Sequence, residues 1–80
     1  MIKNITRGHI EFEYEGKSIT IYGEALLPGY GSPDFVIYSN MLNTWDPPYE
    51  KDNIDKEEKS KILSSVVTEM KKKGMTVEIE

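Results

Sequence analysis

"DKEEKSKILSSVVTEMKKKGMTVEIE", residues 55–80, decides the fold. Its first part has the marks of a helix. Asp55 stands as N-cap with Glu58 three residues on, the spacing of a capping box. Ile62, Leu63, Val66, Val67 and Met70 then recur on one side and form a single apolar stripe. Lys71, Lys72 and Lys73 fall in the last turn, where cations complement the negative end of the helix dipole. Gly74 can take the left-handed position that stops a helix, with Met75 folding back on Met70. From there the period changes to two. Met75, Val77 and Ile79 alternate with Thr76, Glu78 and Glu80, which makes a closing strand. A helix with one apolar stripe must bury it, so the rest of the chain has to supply a sheet.

Upstream, "HIEFEYE" (9–15) alternates strictly, with Ile10, Phe12 and Tyr14 on one face and Glu11, Glu13 and Glu15 on the other. Gly16 and Lys17 make the turn. "SITIYGEAL" (18–26) follows, with Ile19, Ile21 and Ala25 sharing a face and Thr20, Tyr22 and Glu24 opposite. So short a link makes these two strands an antiparallel hairpin. "LPGYGSP" (27–33) is a loop of glycines and prolines. "DFVIYS" (34–39) is apolar on both faces and belongs inside the sheet. The expected architecture is one two-layer α+β domain over residues 1–80. A four-stranded, mainly antiparallel sheet, β-β-β-α-β in order, packs on a single helix. The closing strand is expected beside the first, with a right-handed crossover.

The chain has 80 residues, no cysteine and a net charge of −4. One modest core is all that length supports. No disulfide or thiolate metal site is possible, and a reducing compartment fits. No apolar run approaches the roughly 18 residues needed to cross a membrane. The first residues turn charged too early for a signal peptide. The expectation is a soluble cytoplasmic protein without a membrane partner. Residues 1–54 hold eight acids against four bases, whereas 55–73 hold four against six. Most of the chain would repel a phosphate backbone, which argues against a nucleic-acid partner and for a basic protein surface.

Catalytic patterns are missing. His9 is the only histidine and has no serine or cysteine nucleophile pattern near it. There is no phosphate-binding glycine motif, and "PGYGSP" precedes no helix start. Asp46, Glu50 and Asp52 miss the spacing of a calcium loop, so no metal and no cofactor is expected. Paired-carboxylate chemistry stays open on sequence grounds, although one helix on a small sheet leaves little room for a sugar cleft.

Two acidic regions remain as candidates for binding. One helix covers one side of a sheet, so the other side would carry Glu11, Glu13, Glu15, Tyr22, Glu24, Glu78 and Glu80. As a bland alternative, this is a solvated face that keeps a small domain soluble. The second region is "NTWDPPYEKDN" (43–53), which joins the single tryptophan to Asp46, Tyr49 and Glu50. Its prolines exclude helix and inner strand. Trp45 either folds over the end of the core, as a structural residue beside Leu63 and Val66, or stands with Tyr49 as an interface anchor. Of the two regions the sheet face ranks first, because its carboxylates are more numerous and more rigidly held.

The order of features from "FVIYSNMLNTWDPPYE" through "IDKEEKSKILSSVVTEMKKKGMTVEIE" resembles the small immunity proteins of bacterial polymorphic toxin systems. The resemblance spans roughly residues 8–80 and is most specific at Tyr38, Ser39, Trp45, Pro48, Glu58, Lys59, Ile62 and Leu63. It implies a non-catalytic cytoplasmic protein that binds and neutralises a cognate toxin, often a nuclease. Such proteins meet their partners through variable surfaces, so no interface residue carries over. The matched position of Trp45 favours packing. The alternative function is a small structural or accessory module that self-associates through a sheet edge.

Overall fold

The computed structural model describes residues 1–27, 29 and 31–80. The strands are β1 (Ile2–Ile5), β2 (His9–Tyr14), β3 (Lys17–Ala25), β4 (Phe35–Ile37) and β5 (Val77–Ile79), with the helix α1 (Lys56–Lys72) between the last two. The molecule is α+β, one helix on one sheet. The sheet has five strands rather than four, in the order β1-β2-β3-β4-β5. All pairings are antiparallel except the parallel one between β4 and β5. Of the loop expected over 27–33, Pro28 and Tyr30 lie outside the described residues.

The additional strand, β1, hides from a period-two reading because it carries a bulge. Its register against β2 shifts between Ile2 and Asn4. The extra residue lets Ile2 and Ile5, three apart, both pack on the core. β1 also explains why the closing strand is misplaced by the sequence reading. The outer edge of β2, where that strand was expected, is already filled. β5 goes instead to the far side and pairs with β4, Phe35 to Val77 and Ile37 to Ile79. Thr76 ties this junction by accepting from the Asp34 backbone N–H at 3.1 Å and donating its own backbone N–H to the Asp34 carboxylate at 2.8 Å.

β3 is the hinge of the sheet. Its first part pairs with β2, Ile10 opposite Ile21 and Phe12 opposite Ile19. Its last part pairs with β4, starting at Gly23 opposite Ile37. A Cβ at Gly23 would lie 2.1 Å from the Val36 carbonyl oxygen and 2.5 Å from the Phe35 ring. Glycine is therefore what lets β4 close on β3. β4 is short, and the chain after it takes over along β3. Leu42 is buried, and the Asp46 N–H donates to the Ser18 carbonyl at 2.9 Å.

The helix forms as its ends dictate. The Asp55 carboxylate accepts the Glu58 N–H at 2.7 Å. At the other end Gly74 has φ +80°, and the Gly74 and Met75 N–H groups donate to Lys71 and Met70 carbonyls. Ile62, Val66 and Met70 are fully buried against Ile10, Phe12, Ile19, Ile21, Phe35 and Ile37. Leu63 and Val67 are only partly buried, so the buried line is narrower than the apolar stripe. Ala25, expected on the core side with Ile19 and Ile21, is exposed at the strand's end. The start of β1 is held to the helix by Glu69, which accepts the Ile2 N–H at 3.1 Å.

Candidate partner-binding surface

The two acidic regions have opposite fates. Trp45 is 2% exposed and belongs to the core cluster. Its ring stacks on Tyr14 with centroids 6.5 Å apart and an interplanar angle of 21°. Lys17, in the first position of β3, places its ammonium 5.1 Å from the Trp45 ring and 5.4 Å from the Tyr49 ring. The same ammonium pairs with the Asp52 carboxylate at 2.8 Å. That pairing, first of all, raises the Lys17 pKa above its ordinary value. Asp46 is also occupied, accepting the Thr20 hydroxyl at 3.0 Å. The loop thus uses its aromatics and two of its acids to fasten itself across β3. Glu50 and Tyr49 stay exposed, Tyr49 with its ring against Lys17. The indole Nε1 is buried without an acceptor among the described residues. That leaves a cost of about 1–3 kcal/mol for the ring's burial to offset.

The sheet face turned away from α1 is built by strand parity. In β2 and β3 the residues between the core positions point there: Glu11, Glu13, Thr20, Tyr22 and Glu24. In β4 and just after it they are Val36 and Tyr38, and in β5 and just after it Glu78 and Glu80. Registry turns them into rows. His9 lies opposite Tyr22, and the Tyr38 N–H donates to the Tyr22 carbonyl at 2.9 Å, which sets those two side by side. Ser39 and Glu80 share a backbone hydrogen bond next to them. The result is a transverse row of His9, Tyr22, Tyr38 and Glu80. A neighbouring row joins Glu24, Val36 and Glu78.

Within this face some groups are held by the chain and others are not. The Glu11 carboxylate takes the Asn4 amide at 3.1 Å and lies 3.5 Å from His9 Nε2. The Asn4 bond, then His9, keeps its pKa below the ordinary glutamate value. His9 also meets the Thr6 hydroxyl through Nδ1 at 3.0 Å, and its ring sits edge-on to Tyr22 at 6.3 Å. The Tyr38 hydroxyl donates to Glu24 Oε2 at 3.0 Å, and that bond raises the phenol's pKa. Among the described residues, Glu13, Glu24, Glu78 and Glu80 have no side-chain ion pair. Tyr22 is 45% exposed.

Glu15 is not on this face. It occupies the β2–β3 turn with φ +50° and lines a crevice with Tyr14, Asp55, Glu57, Glu58 and Lys61 at the start of α1. Strict alternation assigns it to the open side, but the turn takes it out of the strand first. Tyr38 joins this face although its sequence context does not mark it as a candidate. "DFVIYS" looks apolar on both sides until the β3–β4 pairing is known. Given that pairing, Tyr38 must share the face of Tyr22.

Among the described residues, no three metal-ligating side chains gather, and no helix is long and apolar enough to cross a membrane. What the geometry defines is a small α+β domain whose sheet has one face covered by the helix and one open face. The chain matches the family described as Immunity protein 74 over residues 2–80, and it belongs to that family. No curated protein and no solved structure is detectably similar to it.

Proposed function

We propose that the protein binds and neutralises a cognate bacterial toxin, a nuclease, through the open face of its sheet. The observation that supports this most is the difference between the two acidic regions. The Trp45 loop uses Asp46 and Asp52 inside the chain, whereas Glu13, Glu24, Glu78 and Glu80 stand on the open face with no ion pair among the described residues. A nuclease needs a basic groove to hold its substrate, and a basic groove is the complement of this face. Membership of an immunity family supports the toxin as partner and a binding rather than a catalytic role. A toxin that acts on nucleic acid inside the cell would be met in the cytoplasm.

The test is functional. The protein encoded immediately upstream of this gene, where a cognate toxin is expected, is expressed in bacteria with and without the protein. Growth restored by the protein, and co-purification of the two, is the expected result. Toxicity unchanged by co-expression would remove the reading. Toxin–protein binding without any effect of sheet-face charge reversals would move the site elsewhere.

A further inference from the structure

The chain contains one completed example of a chemical arrangement and one that lacks a part. In the Trp45 loop two aromatic rings and a carboxylate, from Trp45, Tyr49 and Asp52, surround the ammonium of Lys17. On the open face Tyr22, Tyr38 and Glu24 occupy neighbouring positions of β3 and the chain just after β4. Tyr22 and Tyr38 are side by side across β3 and β4, and the Tyr38 hydroxyl fixes one oxygen of Glu24. Glu24 Oε1 has no hydrogen-bond partner among the described residues. No cation of the described residues lies over either ring. Arg7 lines the same depression as Glu24 and Tyr38 but forms no ion pair with Glu24.

The geometry points to a seat for one arginine side chain of the toxin, stacked on Tyr22 and Tyr38 and hydrogen-bonded to Glu24. This rests on the reading above that the toxin meets the open face. Arginine fits better than lysine. Its guanidinium is planar and stacks on a ring while its edge donates to a carboxylate, whereas an ammonium is a compact, strongly hydrated point charge. The Tyr38–Glu24 bond holds the carboxylate in place before the partner arrives, which lowers the ordering cost of binding. His9 supports the Tyr22 ring from its edge. Glu78 and Glu80, farther along the two rows, act at longer range. The face therefore divides its work: scattered glutamates set how fast the toxin arrives, and the tyrosine–glutamate seat sets how long it stays.

The experiment measures association and dissociation rates between the protein and an inactivated form of the toxin that it neutralises in the co-expression test above. Tyr22→Thr keeps a strand former on an exposed position, and Glu24→Gln keeps an acceptor for Tyr38. Melting temperatures of both variants confirm folding. Each should speed dissociation about tenfold or more, as loss of a central anchor does, with association changed by less than about twofold. Toxin arginines changed singly to lysine should include one that speeds dissociation from the wild-type protein but adds nothing against Glu24→Gln. Arg7→Ala should leave dissociation unchanged. Tighter binding on its removal would show that Arg7 fills the seat itself and would overturn the proposal. Wild-type binding with dissociation unaltered in both variants would overturn the seat and leave the toxin-binding reading standing. No binding by the wild type would overturn both.

Discussion

The Trp45 loop and the open sheet face are alike in composition and opposite in use. Both combine aromatic rings with carboxylates. In the loop, Lys17 sits between Trp45 and Tyr49 and pairs with Asp52. On the face, Tyr22, Tyr38 and Glu24 are neighbours, and among the described residues no cation pairs with Glu24 or lies over either ring. Acidic and aromatic composition alone therefore does not mark an interface. What distinguishes the regions is whether the chain supplies its own counterpart. The loop is closed by a residue from β3 and becomes part of the fold. The face, on the function proposed above, is left for a partner.

The largest effect that could break this comparison lies at Trp45. Trp45→Ala removes a fully buried ring and should cost about 3–5 kcal/mol. In a domain of this size that lowers the melting temperature by more than about 10 °C. Native fluorescence should be blue-shifted, as the indole is out of water. A small melting shift would return the loop to the set of candidate interfaces. Ile62→Ala, beneath the same core, should cost about 2–5 kcal/mol, and Leu63→Ala clearly less because Leu63 is only half-buried. Equal losses at the two positions would mean that the helix is rotated relative to the sheet.

Lys17→Met comes next. It keeps the aliphatic stem but removes the charge that sits over Trp45 and Tyr49. The melting temperature should fall, by less than for Trp45→Ala, and the loss should shrink when Asp52 is already Asn. An additive pair would show that the cation and the carboxylate do not act together. The smallest effect is a pH control away from both regions. The Glu69 pKa is lowered by the Ile2 N–H and then by the Met1 ammonium, 3.2 Å away. A carboxylate with a lowered folded pKa adds stability above its unfolded pKa and loses it as pH falls through the folded one. The loss should appear below the ordinary glutamate value of 4.5. Denaturant melts across that range should show a flatter acid limb for Glu69→Gln, with no change in toxin binding at neutral pH.

Much of this was readable in the sequence wherever one local rule governed the outcome. Asp55 and Gly74 bound the helix because capping is local, and "HIEFEYEGKSITIY" pairs as its alternation requires. The rest depended on long-range placement. The bulge in β1 breaks the period that would reveal it, and the loss of that strand misplaced β5. Alternation puts Glu15 on a face from which the turn removes it. Tyr38 gains a side only through the register set at Gly23. The fastening of the Trp45 loop was the least legible part. Lys17 and Asp52 are far apart in sequence, and only the fold brings a cation to that acidic loop.

The most direct test of the account is the association rate with the toxin identified by co-expression, measured across salt concentrations. Glu13→Lys and Glu78→Lys on the sheet face are compared with Glu50→Lys on the loop. The account predicts that the wild-type rate falls steeply as salt rises. The two sheet-face reversals should slow association and flatten that dependence, with melting curves unchanged, while Glu50→Lys does much less. A rate that ignores salt, or that responds to the loop and not to the face, would contradict it.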